Sequence, residues 1–372
     1  MINVGITGQA GFIGTHLYNF LSLEPDKFKL VPFKDEYYED SEILENWVSG
    51  CDVIVHLAAM NRHHEPDVIY HTNIQLVQDL IHALEQTRST PHLLFSSSTQ
   101  EEYDNPYGRS KKKGRELLKD WAKRTGAKFT GLVIPNVFGP FGNPYYNSVV
   151  ATFSHQLTHG EKPRIEVDKS MKLIYVKELT EVIRGCIFSG ISDPEFHVPH
   201  TSEISVKELL KLLESYYELY TLNGMFPSLK NTFEQNLFNT FRCYMDIPNH
   251  FPVYLKEHAD DRGSFVETMR LGLGGQVSFS TTKPGITRGN HYHTRKIERF
   301  VVIRGKALIQ LRRVGTSEVL EYKLDGKKPS YVDMPIWYTH NITNTGKEDL
   351  FTLFWINEFF DPDDPDTFYE SV

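Results

Sequence analysis

Residues 7–14 read TGQAGFIG, and they follow the apolar run INVGI of residues 2–6. The run predicts a short buried strand, and the residues after the first glycine predict a helix. Gly8, Gly11 and Gly14 therefore stand in a turn between a strand and a helix. Glycines in this context allow a tight turn and close backbone approach to a pyrophosphate, whose charge the helix N-terminus stabilises. The stretch predicts a dinucleotide site at the start of the chain.

The first half of the chain continues in the same alternating pattern. Further apolar runs predict buried strands at 30–33, 53–58, 92–97 and 130–135. Helical patterns lie between the strands, at 12–23, 74–86 and 110–124 among others. Strands that alternate with helices predict a parallel sheet covered on both faces. The fold class of this half is therefore α/β, a Rossmann-like doubly wound parallel sheet.

The pattern changes near residue 250. Short alternating runs, separated by Gly, Pro and Asn turns, occupy 276–282, 299–314, 318–324, 330–335 and 349–357. Such runs are typical of an antiparallel sandwich or barrel. We place the boundary between Pro248 and Pro252, and predict two domains, 1–247 and 248–372. The acidic, proline-rich C-terminus is expected to pack as an irregular tail.

The composition excludes several classes of protein. The chain has 372 residues, of which 40 are Lys or Arg and 48 are Asp or Glu, so its formal net charge is −8. A chain this acidic is a poor candidate for binding nucleic-acid phosphates. Three widely separated cysteines form no disulfide framework or zinc ribbon pattern. Without a signal-peptide pattern or an apolar run of about 20 residues, we expect a cytoplasmic protein with no membrane insertion.

The end of the second predicted strand bears on the choice of cofactor. Lys34 and Asp35 directly follow that strand. An acidic side chain at this place binds the ribose 2′-hydroxyl of NAD, whereas a cation accepts the 2′-phosphate of NADP. Because Lys34 comes first, we expect NADPH, with NAD as the alternative.

Tyr107 and Lys111 form a YxxxK pair within YGRSK. This i, i+4 spacing places both side chains on one face of a helix. The lysine cation favours the phenolate, so we expect it to lower the pKa of Tyr107 towards a range useful for proton transfer. The serines at 96–98 end a predicted strand and can offer a hydroxyl to a substrate carbonyl. Together with the glycine turn, these residues predict a reductase active site.

These motifs, with VIVHLAA at 53–59 and PNVFGP at 135–140, resemble the extended short-chain dehydrogenase/reductase (SDR) family. The resemblance implies that Tyr107 transfers the proton, Lys111 binds the nicotinamide ribose and Ser98 orients the carbonyl. Only nine positions separate Ser98 from Tyr107, fewer than in most extended members, so the neighbouring serines stay open as alternatives.

The same resemblance implies further contacts. Asn136 and Asn147 match regions that commonly touch a nucleotide sugar. The expected cofactor contacts are Gly8, Gly11, Phe12, Ile13, Gly14, Lys34, Ala58, Tyr107, Lys111 and Pro135.

Four side chains of the C-terminal half form a candidate metal site. His291 and His293 form an HxH pair, whose period of two directs both imidazoles to one face of a strand. Glu298 lies on or just before the next predicted strand, and His340 lies on a later one. Three histidines and one carboxylate suit zinc, iron, manganese or nickel, and we take zinc as the first choice.

This spacing resembles the cupin signature, a small jelly-roll barrel with the metal inside. One turn departs from it, because the usual PxG before His340 reads Pro335-Ile-Trp337. A second resemblance, to the nucleotide-sugar 3,5-epimerase cupins, rests on DDRGSFVE (260–267) and TRGNHYH (287–293).

Those epimerases work without a metal, and use a histidine at the His291 position as the base that removes a proton next to a ketone. His291 therefore has two open roles, ligand or base, and we favour the ligand. Arg262 and Arg288 are candidate contacts for a diphosphate or a sugar.

The domain order, with DNPYGRSK (104–111), KPGITRGNHYH (283–293) and NEFFDPDDPDTF (357–368), resembles the bifunctional CapF-type enzymes of capsular polysaccharide synthesis. The resemblance implies a UDP-linked 2-acetamido-2,6-dideoxy-4-keto-hexose as substrate. The cupin would epimerise C3, and the SDR domain would reduce the C4 ketone with NADPH. The product would be UDP-2-acetamido-2,6-dideoxy-L-talose, a precursor of UDP-N-acetyl-L-fucosamine. We also expect a homodimer.

Two alternatives stay open at this point. The chain could be a simple 4-ketoreductase whose cupin only mediates dimerisation. It could also be a non-catalytic sugar-nucleotide-binding protein, although intact Ser98, Tyr107 and Lys111 argue against this.

Overall fold

The computed structural model describes residues 1–261 and 263–372, which cluster into two compact units. The first unit comprises Met1–Thr152 and Val167–Val206. The second comprises Phe153–Glu166 and Lys207–Val372. A domain boundary after residue 247 stays a prediction. Residues 207–247, which that prediction assigns to the first domain, cluster with the second unit.

The helices, in chain order, are α1 Phe12–Ser22, α2 Ser41–Ser49, α3 Pro66–Thr87, α4 Pro106–Thr125, α5 Val149–Thr158, α6 Val176–Ser189, α7 Val206–Tyr216, α8 Thr232–Arg242 and α9 Ile247–His250. Shorter helical turns cover Asp35–Glu39, Thr99–Glu102 and Tyr217–Leu222. Over the described residues, no helix combines the length and apolar character that crossing a membrane requires.

The strands of the first unit are β1 Ile2–Thr7, β2 Phe28–Val31, β3 Val53–His56, β4 His92–Ser98, β5 Phe129–Ile134, β6 Asn136–Phe138, β7 Ser170–Tyr175, β8 Phe196–His197 and β9 Ser202–Ser205. Those of the second are β10 Met225–Phe226, β11 Val253–Tyr254, β12 Glu257–Asp260, β13 Gly263–Val266, β14 Arg270–Leu271, β15 Gln276–Thr282, β16 Thr287–Tyr292, β17 Glu298–Arg304, β18 Lys306–Arg313, β19 Val319–Asp325, β20 Ser330–Met334, β21 Tyr338–Asn344, β22 Leu350–Ile356 and β23 Phe368–Tyr369.

The first unit is built on a six-stranded parallel sheet of order β2-β1-β3-β4-β5-β8. Its strands are apolar on both faces, and each face carries its own core. Leu17 of α1 and Leu179 of α6 pack on one face, whereas Leu80 of α3 and Trp121 of α4 pack on the other. The predicted doubly wound α/β fold is confirmed. A small sheet of order β6-β7-β9 completes the unit.

The second unit contains two five-stranded antiparallel sheets, of order β11-β20-β17-β22-β15 and β19-β18-β21-β16-β23. The predicted antiparallel fold is confirmed. Across the described residues the strands form separate sheets and no closed barrel. The run 299–314 divides into β17 and β18 at Gly305, whose φ is +89°.

A buried polar network joins α8 and the helical turn Tyr217–Leu222 to the strands of this unit. Arg299 of β17 pairs with Asp333 of β20 through contacts of 2.7 and 2.8 Å, and both side chains are almost fully buried. The Tyr220 hydroxyl donates to the same carboxylate at 2.6 Å, and Arg242 of α8 donates to that hydroxyl at 3.1 Å. The charges are paired, so their burial is tolerated.

Candidate functional site

The glycine turn after β1 has the shape that the sequence predicts. Gly8 has φ of +64°, and a Cβ there would lie 2.9 Å from the backbone of Ala58. A Cβ on Gly14 would lie only 2.2 Å from the Gly8 carbonyl oxygen. Larger residues would therefore push the turn away from both α1 and the loop after β3. Glycine is required here by the packing of the backbone itself.

The N-terminus of α1 is open to an anionic group. Gly11 is its N-cap and supplies no capping side chain, and the first turn contains no acidic residue. The N–H groups of that turn, which begins at Phe12 and Ile13, lack intrahelical partners, and the helix dipole favours negative charge beside them. This geometry fits the pyrophosphate of a dinucleotide.

The end of β2 lies beside the glycine turn. The Phe33 backbone N–H donates to Oε1 of Gln9, at 3.2 Å. Lys34 and Asp35, which come next, are both exposed. The structure therefore brings Lys34 near the turn that would hold the cofactor phosphates, and leaves its ammonium free to reach an anion.

The loop after β3 is fixed by one side chain that the sequence analysis did not assign. Asn73 of α3 accepts from the Met60 N–H at 2.7 Å and donates to the Met60 carbonyl at 3.0 Å. It also donates to the Ser110 hydroxyl of α4, at 2.9 Å. Ala58, in the same loop, donates its N–H to the Thr7 hydroxyl at 3.3 Å. Asn73 thus ties this loop to the helix that carries Tyr107.

Tyr107 and Lys111 lie on one face of α4, as predicted. The Lys111 Nζ lies 5.7 Å from the centre of the Tyr107 ring and 5.0 Å from that of Phe95. It donates to the hydroxyl of Ser96, at 3.4 Å. The ammonium is almost fully buried. The pair faces the carboxyl end of β4, where ligands of open parallel sheets bind.

Burial sets the protonation of this pair, which corrects the expectation that Lys111 lowers the pKa of Tyr107. Desolvation, with Tyr146 nearby, raises the pKa of the Tyr107 phenol. Desolvation also lowers the pKa of Lys111 to about 7, against the attraction of Glu101. The lysine is therefore a weaker source of positive potential than its spacing suggested. Tyr107 is held protonated, which is the form that a proton donor to a ketone needs.

Ser98 ends β4 and caps the turn that leads to Tyr107. Its hydroxyl accepts from the Gln100 N–H at 3.2 Å. The turn is anchored by an ion pair that the sequence analysis did not identify, between Glu101 and Arg115, at 2.7 Å. Arg115 lies four residues, about one helical turn, after Lys111 on α4. Ser97 donates its hydroxyl to Glu101 as well. These contacts fix the short connection from the serines to Tyr107.

The remaining predicted site residues of the first unit follow strand β5 in the sequence. Pro135 directly follows β5 and is buried. Asn136 opens β6, is exposed, and donates to the Lys172 carbonyl at 3.4 Å. Asn147 is exposed in the segment before α5. The two asparagines are therefore accessible to a ligand.

The four candidate metal ligands come together in the second unit. His291 lies on β16, His293 directly after it, Glu298 on β17 and His340 on β21. One potential ligand atom from each lies within 4.8 Å of the others. His291 pairs with His340 in the strand register. The group thus takes side chains from both five-stranded sheets, which explains how residues far apart in sequence meet.

The geometry of this cluster fits a cation. The Glu298 Oε2 lies 3.0 Å from Nε2 of His293 and 3.2 Å from Nε2 of His340. Over the described residues, these three buried atoms make no regular hydrogen bond. The opposite ring nitrogens contact backbone carbonyls: Nδ1 of His293 lies 2.5 Å from Asp366 O, and Nδ1 of His340 lies 3.1 Å from Tyr338 O. Such carbonyls fix the proton on Nδ1 and leave Nε2 for a metal.

The charges of the cluster agree with that fit. Desolvation, with His340 and His293 nearby, lowers the pKa of His291 to about 4, so its imidazole is neutral near pH 7. Burial opposes ionisation of Glu298, but His293 and His340 outweigh it and hold the pKa of Glu298 below its usual range. Glu298 and Asp366 in turn raise the pKa of His293 against the effect of its burial, so the ionised carboxylate attracts positive charge to this cluster.

The departure from the usual PxG turn has a structural counterpart. Trp337 stands where the glycine of that pattern would be, and its φ is +61°. Its N–H donates to the His293 carbonyl at 2.8 Å, and its ring stacks on Tyr292 at 5.6 Å. The turn keeps its left-handed conformation although a tryptophan occupies it. These contacts hold the turn that leads to His340.

The two candidate arginines of this unit remain predictions. Arg262 lies outside the described residues. Arg288 lies on β16, is exposed, and donates to the Thr281 carbonyl at 3.4 Å.

Two family sequence models match the chain, one after the other. The NAD dependent epimerase/dehydratase family matches residues 4–187. The Polysaccharide biosynthesis C-terminal domain matches residues 258–368. The second match contains all four residues of the histidine cluster.

Similar proteins extend these matches to the whole chain. The chain is 32% identical over 381 residues to the UDP-2-acetamido-2,6-beta-L-arabino-hexul-4-ose reductase of Pseudomonas aeruginosa, covering 100% of this chain and 99% of that protein. The crystal structure of the capsular polysaccharide assembling protein CapF from Staphylococcus aureus matches with a TM-score of 0.63 and 35% identity, over 100% of both chains. The structure of RMD from Pseudomonas aeruginosa complexed with NADPH shares the fold over 59% of this chain and 83% of its own, with a TM-score of 0.53 at 22% identity.

Proposed function

Because the chain belongs to the family of CapF and the UDP-2-acetamido-2,6-beta-L-arabino-hexul-4-ose reductase, we propose that it is a bifunctional nucleotide-sugar enzyme. Its substrate is a UDP-linked 2-acetamido-2,6-dideoxy-4-keto-hexose. The second unit epimerises C3, and the first unit reduces the C4 ketone with NADPH. The product is UDP-2-acetamido-2,6-dideoxy-L-talose, a precursor of UDP-N-acetyl-L-fucosamine for capsular polysaccharide.

The observation that carries the reductive step is the placement of Tyr107 and Lys111 at the carboxyl end of the parallel sheet. When bound, NADPH would supply the hydride for C4. The protonated phenol of Tyr107 gives its proton to the ketone oxygen, and the Ser98 hydroxyl donates a hydrogen bond to that oxygen. Lys111 binds the nicotinamide ribose, and the N-terminus of α1 binds the pyrophosphate.

The histidine cluster supports the epimerisation step. A ketone at C4 acidifies the proton on C3, so a base in the second unit can remove it and allow its return on the opposite face. His291, His293, Glu298 and His340 would hold a divalent metal, with zinc as the first candidate. Such an ion supplies Lewis acidity, which polarises a carbonyl. Reduction at C4 then removes the ketone and prevents C3 from inverting back.

We further propose that the enzyme works in the cytoplasm, where both its cofactor and its sugar nucleotide are dissolved. We also propose that it forms a homodimer. The chain has more acidic than basic residues, so its negative charge repels the anionic cofactor and substrate. Exposed Lys34 and Arg288 are local cations that can offset this repulsion.

The proposal is tested by incubating the purified protein with the UDP-linked 4-keto sugar, with and without NADPH. We expect NADPH oxidation and a product whose C3 and C4 configurations, read by NMR, are both those of the L-talo sugar. A product reduced at C4 with unchanged C3 would instead identify a simple 4-ketoreductase. Absence of turnover, with sugar-nucleotide binding retained, would identify a non-catalytic binding protein.

Lys34 provides a separate test of cofactor choice. Removing its ammonium in Lys34→Ala should raise the KM for NADPH about tenfold, about 1.4 kcal/mol, because one charged contact to the 2′-phosphate is lost. The KM for NADH should stay unchanged. Lys29→Ala, which removes an exposed cation from β2, is the matched control. An equal increase in KM for both cofactors, or no increase for either, would contradict the role of Lys34.

A further inference from the structure

The C-terminal tail contains a buried carboxylate with an unusual number of donors. Asp366 is 3% exposed. Its Oδ1 accepts from the Thr294 hydroxyl at 2.6 Å and from the Thr294 N–H at 3.1 Å. Its Oδ2 accepts from the N–H groups of Arg295 and Lys296, each at 2.9 Å. A buried charge is tolerated when several donors satisfy it in this way. Asp366 thereby fixes the loop that directly follows His293.

The main chain of Asp366 contacts His293 itself. Its carbonyl oxygen lies 2.5 Å from Nδ1 of His293, on the ring edge opposite the Nε2 that faces Glu298. Asp366 has φ of +40°, in the left-handed region that residues other than glycine adopt uncommonly. A residue held in this region must be constrained by its surroundings. The four hydrogen bonds of the carboxylate provide that constraint and so aim the carbonyl at the imidazole.

The rest of the tail borders the other histidines. Tyr369 of β23 pairs with His291 of β16. The Glu370 carbonyl accepts from the hydroxyl of Thr339, the residue before His340. Arg312 donates to the Glu370 carboxylate at 2.7 Å. The tail therefore touches both chain segments that carry the histidines, residues 291–293 and the strand of His340.

We propose that Asp366 is a positioning residue of the candidate metal centre, and that residues 366–372 form a clasp that orients its histidines. The carboxylate of Asp366 accepts the hydrogen bonds that fix the loop after His293. The carbonyl of Asp366 accepts a hydrogen bond from Nδ1 of His293, which leaves Nε2 for the metal. Strand β23 pairs with the strand of His291. This inference rests on the proposed metal site. It adds that the site is incomplete without the last seven residues.

The experiment compares zinc affinity in full-length protein by competition with a chelator of known affinity. Asp366→Asn keeps the size of the side chain and tolerates the left-handed conformation, but loses the charge that attracts the N–H groups. We expect zinc to bind 10–100-fold more weakly, as is typical when the partner that orients a ligand is lost. Asp363→Ala is the matched control, because Asp363 is an exposed carboxylate of the same tail.

A spectroscopic measurement separates positioning from general destabilisation. In the cobalt-substituted protein, Asp366→Asn should change the ligand-field spectrum, whereas Asp363→Ala should match the wild type. Asp366→Ala, measured in parallel, should weaken zinc binding at least as strongly. If both Asp366 variants bind zinc as the wild type does, with an unchanged spectrum, the role of Asp366 is overturned while the metal site stands. A wild type that binds no zinc would contradict the metal site itself, and the clasp with it.

Discussion

The Tyr107→Phe variant is expected to reduce the C4 ketone about 10²–10⁴-fold more slowly than the wild type, which is the usual contribution of a positioned general acid. Burial keeps the phenol of Tyr107 protonated, so this hydroxyl is the group that can supply the proton. Phenylalanine keeps the ring and its packing beside Lys111. The rate is measured from NADPH absorbance with the UDP-linked 4-keto sugar as substrate.

Two controls restrict the interpretation of that result. Tyr103→Phe removes a hydroxyl from an exposed tyrosine of the same connection and should leave the rate unchanged. The Tyr107→Phe protein should still bind NADPH, because the glycine turn, α1 and Lys111 are unaltered. A Tyr107→Phe rate within a few-fold of the wild type would show that another group donates the proton.

Removal of the metal is expected to destabilise the second unit by several kcal/mol. A ligand that binds only the folded state at 1,000 times its Kd contributes about 4 kcal/mol, and histidine ligands from two sheets make the site dependent on folding. Chelator-treated protein should therefore unfold at a lower temperature, and added zinc should restore the transition. Elemental analysis of the untreated protein should find about one equivalent per chain.

A matched pair of variants ties that effect to the cluster. His340→Ala removes a buried ligand, so its unfolding temperature should no longer depend on zinc. His258→Ala removes an exposed imidazole from β12 and should keep the full zinc dependence. The ligand assignment is wrong if untreated protein contains less than about a tenth of an equivalent of any divalent metal.

The fold followed from the sequence where local patterns decide it. The strand before Gly8 and the helix after it are both where the pattern places them, because a parallel sheet buries short continuous apolar runs. The cluster of His291, His293, Glu298 and His340 also came from local signals, namely a period-two pair and later strand positions. Strand pairing then brought them together.

The parts that sequence could not provide depend on contacts between distant segments. Asp366 reaches His293 from 73 positions away, and Asn73 reaches Ser110 from 37. Nothing local shows that Asp366 contacts His293 or that Asn73 contacts Ser110. The pKa of Tyr107 was misjudged for a similar reason, since spacing reveals the nearby lysine but not the burial that outweighs it.

The central claim is that two sites divide two reactions, and one isotope measurement tests it most directly. Tyr107→Phe protein is incubated with the UDP-linked 4-keto sugar in deuterated water without NADPH, and deuterium at C3 is followed by NMR and mass. We predict that deuterium enters C3 at the wild-type rate, because the base that exchanges this proton lies in the second unit. Loss of exchange in this otherwise folded variant would contradict the division of the two reactions between the two units.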